Sequence, residues 1–187
     1  MISLEQGLEP PTWRFAEFKL RPLRSGDATA WSQYLSEPDV TLHTSWSKTD
    51  PLTIAYLVER SIADYASGNS CRWAIAGRDD GVIGTCGFSN WSLIHSHAEI
   101  VYDLDPRFWR RGIGSTAVRT VLGWAFDVAG FNRVHAFVMD TNQASIALLD
   151  RLGFVSEGLL RHYRISRGVP RNFWCYSVLR EQWQGSE

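Results

Sequence analysis

Apolar and polar positions along the chain change period several times, and each change marks an element. "FKLRPL" (18–23) alternates and predicts a strand. Ser25-Gly26-Asp27 then caps a helix running through Leu35. "EPDVTLHTSWSKTDP" reads as a polar loop holding one Trp. After Asp50-Pro51, the stripe Ile54, Leu57, Val58, Ile62 and Tyr65 predicts a second helix. "CRWAIAGR" and "GVIGTCGFS" are strands joined by Asp79-Asp80-Gly81, a hairpin signal, and "HAEIVYDL" is a third strand closed by Asp105-Pro106. Val118, Val121, Leu122, Ala125, Phe126 and Ala129 recur at i, i+3, i+4, i+7, and Gly130 ends that helix. "RVHAFVM" is a strand, "NQASIALLDRLGF" a helix ending at Gly153, and "HYRIS…GVPRNFWCYSVL" a last hairpin. Strands interleaved with helices in this order predict an α/β fold, a mixed sheet with helices on both faces.

Composition narrows the class. The 187 residues suit one domain, taken as 13–187 behind a loose tail at 1–12. A net charge of -1 supplies no field for nucleic acid or a membrane surface. The scattered Cys71, Cys86 and Cys175 form no CxxC, which argues for a reducing compartment and against zinc. The N-terminal segment lacks the basic start and apolar run of a signal peptide, and no segment approaches the ~20 apolar residues of a membrane span. The expected location is cytoplasmic. Nine Trp are compatible with a flat-walled cleft and equally with an aromatic core.

The stretch "FWRRGIGSTAV" (108–118) carries the chemistry. The first amides of a helix have no internal partner and attract anions. Glycines at 112 and 114 allow close backbone approach, and Arg110 and Arg111 add positive charge. A P-loop is absent, because GxxxxGK[ST] does not occur. A dinucleotide fingerprint is partly met, since Gly112-Ile-Gly114-Ser-Thr-Ala117 fits GxGxxA and Asp140 ends the next strand. Seven residues including Pro106 separate that motif from its strand, and about 70 residues follow it, few for the rest of a dinucleotide domain. An acyl-coenzyme A site is the third possibility.

"AEIVYDLDPRFWRRGIGSTAVRTVLGWAF", "DTNQASIALLDRLGF" and "EGLLRHYR…NFWCYSVLR" follow one another in an order that resembles the GNAT N-acetyltransferases. The likeness runs from Ala98 to about Arg180 and is nearer to the Rim branch, which acetylates ribosomal-protein N-termini. Trp109-Arg-Arg-Gly112-Ile-Gly114 matches Q/R-x-x-G-x-G/A with Trp in the first place. The resemblance implies a GNAT fold, a twisted and mostly antiparallel mixed sheet, with acetyl-coenzyme A as cosubstrate. It implies a pyrophosphate cradle of Arg110, Arg111, Gly112, Ile113, Gly114 and Ser115. Backbone contacts from Tyr102, Asp103 and Leu104 to the pantetheine arm are implied too, with Asn142 touching the same arm. The acceptor would be a primary amine, of a protein N-terminus or a small molecule. Rim-like enzymes are often dimers, so a homodimer is an expected assembly, with Trp46 and Trp91 as candidates for a partner surface or the acceptor cleft.

Amine acetylation needs a neutral nucleophile and a donor for the departing sulfur. Glu99 holds the position that serves as base in the histone-acetylating branch, and alternation puts it on one strand face with Val101 and Asp103. A solvent-facing strand carboxylate is the plainer role for it. The strand after the glycine helix, where another branch carries Glu, has Phe137. The usual Tyr of the last helix is replaced by Leu149. Ser145 resembles the Rim branch's alternative acid, with Tyr163 in reserve. His95 and His97 point the same way but lack a third metal ligand, so no metal is expected. Asn172 stands where the Rim branch often has Asp. A non-catalytic acyl-coenzyme A-binding module and a nicotinamide-dependent enzyme remain the alternatives.

Overall fold

Alternating strands assemble one eight-stranded sheet in a computed structural model that describes residues 8–44 and 49–183. The strands are β1 (Arg14–Phe15), β2 (Phe18–Pro22), β3 (Cys71–Ala76), β4 (Val82–Ser92), β5 (His97–Leu104), β6 (Arg133–Met139), β7 (Val155–Ser166) and β8 (Val169–Leu179). Their spatial order is β1-β2-β3-β4-β5-β6-β8-β7. Every neighbouring pair is antiparallel except β5 and β6. A largely antiparallel sheet is not the doubly wound parallel sheet that a dinucleotide fingerprint serves, so that reading is set aside.

Five helices cover the sheet: α1 (Asp27–Leu35), α2 (Pro38–Thr41), α3 (Pro51–Ala66), α4 (Ile113–Gly123) and α5 (Gln143–Arg151). Local chemistry starts α3, where the Asp50 side chain accepts from the Thr53 amide at 3.0 Å and Pro51 takes the first turn. Trp31 and Leu35 of α1 and Ile54 and Val58 of α3 bury against Ala74 and Val82 on one face. On the other face Val118, Val121 and Leu122 of α4 and Leu149 of α5 meet Trp73, Phe88, Ala98 and Ile100. The two layers follow from period 2 in the strands and period 3.6 in the helices.

Four local expectations are corrected. The segment taken as a loose tail is docked from Leu8 onward. Leu8 is buried, and its carbonyl accepts from the Tyr65 hydroxyl at 2.6 Å and the Trp73 indole at 3.3 Å. The supposed polar loop after Leu35 contains α2, because Pro38 opens a helical turn that buries Val40. The glycine helix widens after Gly123 into a π turn, Trp124–Val128, with the Ala129 amide reaching the Trp124 carbonyl at 2.9 Å. That extra residue per turn lets Trp124, Ala125 and Phe126 all enter the core, with Trp124 edge-on to Trp73 at 5.1 Å. Trp91, expected to be exposed, is half-buried and packs on Phe131 at 5.8 Å. Trp46 lies outside the described residues.

One feature of the sheet positions the cleft. β5 and β6 pair only at His97↔Arg133, Ala98↔Val134 and Glu99↔His135. β6 then stays with β8 as far as Met139, while β5 stays with β4 as far as Leu104. The sheet therefore splays open beyond Glu99.

Candidate active site

The splay leaves one edge of β5 unpaired, and the register says which residues present it. The Asp105 amide donates to the Ile83 carbonyl at 2.8 Å, which makes Asp105, Asp103 and Val101 the hydrogen-bonded positions towards β4. The alternating residues, Tyr102 and Leu104, turn their N–H and C=O into the splay. Asp103 is thereby corrected as a cofactor contact. Its carbonyl faces Gly84, where an added Cβ would stand only 2.6 Å from it. Its carboxylate, on the α1 side, accepts from Thr85 at 2.8 Å and Tyr34 at 2.5 Å and pairs with Arg72. Asp103 braces the strand from behind.

The glycine loop closes the mouth of the splay. Buried Asp105 accepts from the Arg107 amide at 2.9 Å and from the Arg107 side chain, starting a 3-10 turn at Pro106–Phe108. The Trp109 indole then donates to the Leu104 carbonyl at 2.7 Å. Backbone φ is positive at Arg110 (60°) and Gly112 (78°). At 112 glycine is favoured by that φ and not by lack of space, since a Cβ there would make only an ordinary 3.5 Å contact with Phe15. The amides of Ile113, Gly114 and Ser115 are the first of α4 and have no partner inside it. Ser115 and Thr116 both turn their hydroxyls back to the Gly112 carbonyl, each at 2.9 Å. Arg110 and Arg111 are exposed beside these amides, Arg111 lying 5.4 Å over the Phe108 ring.

At the inner end, α5 contributes Asn142 and Ser145. Asn142 caps the helix, its Oδ1 accepting from the Ser145 amide at 3.1 Å, and its Nδ2 donates to the His43 carbonyl at 3.2 Å. Much of its side chain is thus committed to holding α5 and residues 42–44 together. The same short segment is held from the other side by Ser166 on Thr44 (3.0 Å) and Arg167 on Leu42 (3.1 Å). Ser145 Oγ lies 2.5 Å from the Tyr102 hydroxyl. Burial pushes the Tyr102 pKa well up, so the phenol keeps its proton.

Across the strand from Tyr102, Glu99 is nearly buried and accepts from Arg164 at 2.9 Å. The Arg164 guanidinium also lies 5.5, 5.2 and 5.4 Å over the rings of Phe137, Tyr163 and Phe173. Arg164 reaches this place because β7 bulges between Leu160 and Arg164. Asn172 pins the bulge, accepting from the His162 amide at 3.0 Å while donating to Asp140 at 3.1 Å. Next to Glu99 stands His135, whose pKa burial pushes down and whose Nδ1 has no partner among the described residues. Tyr163, half-exposed on the bulge, packs on Phe137 at 4.8 Å. Leu149 is fully buried core. Among the described residues no three His, Cys, Asp or Glu side chains are placed to hold a metal; His97 instead lies between the rings of His95 and His135.

These parts line one cleft of about 1370 Å³, above the ~300–1,000 Å³ usual for small-ligand pockets. Glu99, Tyr102, Leu104, Arg110, residues 112–115, Asn142, Ser145 and Arg164 all border it. The donor set fits acetyl-coenzyme A in sequence: open helix amides and two arginines for an anion, a strand edge without a neighbouring strand for an amide-bearing arm, then a hydroxyl and a carboxylate. Sequence reasoning did not find His135, residues 42–44 or the hydroxyl of Tyr102. Only Tyr102 had a signal, since alternation puts it on the face opposite Glu99.

Residues 17–155 match the family model described as an acetyltransferase (GNAT) domain. The chain is 34% identical over 168 residues to an uncharacterized N-acetyltransferase p20 of Bacillus licheniformis, covering 89% of this chain and 94% of that one. Its fold superposes on Mycobacterium smegmatis RimJ in complex with a coenzyme A disulfide with a TM-score of 0.80, at 24% identity, over 90% of this chain and 85% of that one. It superposes equally, TM-score 0.80 at 20% identity, on the microcin C7 self-immunity acetyltransferase MccE with acetyl-coenzyme A and AMP, over 93% and 99% of the two chains. With the glycine loop, the splayed strands and the matched sequence in agreement, the chain belongs to the GNAT acetyltransferases and is an acetyl-coenzyme A-dependent acyltransferase.

Proposed function

We propose that the acceptor is the free α-amino group of a peptide or protein N-terminus, and that Glu99 and Ser145 serve the transfer from opposite faces of β5. The observation that carries this reading is the Glu99–Arg164 pair at the inner end of the splay. Its carboxylate already has a counter-ion, so this part of the cleft attracts a polycation little. Arg164 keeps further donors for a peptide carbonyl, and Phe137, Tyr163 and Phe173 offer flat apolar walls. An α-amine, with pKa near ~7.8, is neutral in about one molecule in seven at pH 7, against about one in 2,500 for a lysine. A modest base suffices for the former.

The amides of Ile113 to Ser115, with Arg110 and Arg111, would hold the pyrophosphate, and Gly112 shapes the turn that presents them. Tyr102 and Leu104 would pair with the pantetheine arm, and Asn142 would border it. Acetyl-coenzyme A supplies an activated thioester when bound. Glu99 accepts the amine proton, directly or through water. Ser145 offers its hydroxyl hydrogen to the sulfur as that atom takes the bonding electrons.

The acceptor is tested by comparing turnover on short peptides with free and blocked N-termini, on spermidine, and on a peptide with a lysine but no free α-amine. Acetylation of the free N-terminus alone, with loss in Arg164→Ala through a raised KM, is the expected result. Preference for spermidine overturns the acceptor assignment and leaves the acetyltransferase in place.

A further inference from the structure

Ser145 has a partner that the reaction as described does not use. On α4, the hydroxyls of Ser115 and Thr116 fold back on the Gly112 carbonyl, the ordinary fate of such groups in a first helical turn. Ser145, in the first turn of α5, has its amide on the Asn142 cap, yet its Oγ lies 2.5 Å from the hydroxyl of Tyr102 on β5. The two residues are 43 positions apart, and both border the cleft.

Each hydroxyl owns one hydrogen, so the pair has two arrangements. If Ser145 donates to Tyr102, no Ser145 hydrogen is left for the sulfur. If Tyr102 donates to Ser145, the serine hydrogen is free to turn into the cleft, and the bond it accepts makes it a stronger donor. Tyr102 is half-buried, packed against apolar residues of the α4 and α5 layer, where giving up its proton altogether is costly.

We propose that Tyr102 is a positioning residue for acetyl transfer: its hydroxyl donates to Ser145 Oγ and so aims the serine hydrogen at the departing sulfur. This rests on the reading of Ser145 as the sulfur's donor. No proton leaves Tyr102. The amine nitrogen bonds to the acetyl carbon, the carbon–sulfur bond gives its electron pair to sulfur, Glu99 takes the amine proton, and water protonates the released thiolate.

The test uses the full chain and two readouts. One is the apparent pKa of the thiol of bound coenzyme A, followed by thiolate absorbance against pH. The other is kcat with a tripeptide or spermidine, whichever the unaltered protein acetylates. Ser145→Ala should raise the bound thiol's pKa. Tyr102→Phe should raise it too and lower kcat by roughly threefold to tenfold, the worth of one hydrogen bond, with acetyl-coenzyme A affinity unchanged. In the Ser145→Ala background, Tyr102→Phe should change neither readout. Equal effects of Tyr102→Phe with and without Ser145 overturn the proposal. A shift with Ser145→Ala but none with Tyr102→Phe overturns it as well and leaves the serine reading standing. No shift with Ser145→Ala removes the serine reading, and the proposal falls with it. Should Tyr102→Phe fail to fold, 3-fluorotyrosine at position 102, a stronger donor, should lower the bound thiol's pKa only while Ser145 is present; no change overturns the proposal.

Discussion

At the residue scale, side chains of β7 and β8 are fixed by what they must do at once. Asn172 accepts from a backbone amide and donates to a carboxylate, which Asp cannot do. Asn172→Asp should therefore put two carboxylates together, loosen the bulge that delivers Arg164, and cost on the order of 1–3 kcal/mol in urea unfolding near pH 7. Glu157 shows the opposite case. Its hydrogen bonds to Arg133 at 2.5 Å, with help from Ser177 at 2.7 Å, hold its carboxyl down to about 2. A depressed native pKa contributes stability that is complete above the unfolded value, ~4.3, and is lost as pH falls from there towards 2. Urea midpoints at pH 6 and pH 3 should accordingly differ less for Glu157→Gln than for the unaltered protein. Glu99→Gln should lower kcat by roughly 10²–10⁴ near neutral pH, with the defect shrinking at higher pH as the amine deprotonates unaided. A pH-independent defect would mean that Glu99 orients the acceptor and is not the base.

At the scale of elements, the glycine loop and the β5 edge act as one device. Asp105 ends the strand, Trp109 folds back on Leu104, and Gly112 turns the chain into α4 at a positive φ. Gly112→Asp combines a strained backbone with a carboxylate beside the open amides. Titration calorimetry should show no acetyl-coenzyme A binding to a variant that still folds. Arg111→Ala should cost only about 1 kcal/mol, because exposed charge supplements the amides without replacing them. The starts of these elements were legible in the chain, since caps are local chemistry: Asp50-Pro51, Gly112 and Asn142 each stand within three residues of the amides they serve or expose. The π turn was not legible. Its period changes because Trp124 and Phe126 both find room in a core assembled from distant strands.

For the whole molecule, the site exists only where two sheet halves diverge. One half, β1 to β5, carries α1 and α3; the other, β6 to β8, carries the bulge and Arg164. Three residue pairs between β5 and β6 join them. A cosubstrate lying in the splay should tie the halves together. Acetyl-coenzyme A at about 100 times its Kd should add ~2.7 kcal/mol to the stability of the native state. Gly112→Asp should abolish the matching rise in Tm; a rise that persists in that variant would place binding elsewhere.

Taken alone, the amino-acid sequence determined most of the succession of strands and helices, the glycine turn that opens α4, and the family. Each depends on residues close together in the chain, whose periodicity and turn chemistry are written in order. Tertiary structure decided the partnerships. Tyr102 meets Ser145 across 43 positions, Arg164 meets Glu99 across 65, and Asp103 turns its backbone to β4. Strand register and one bulge set all three. A one-residue slip in either would send the same side chains to the opposite face, so no local pattern could announce them.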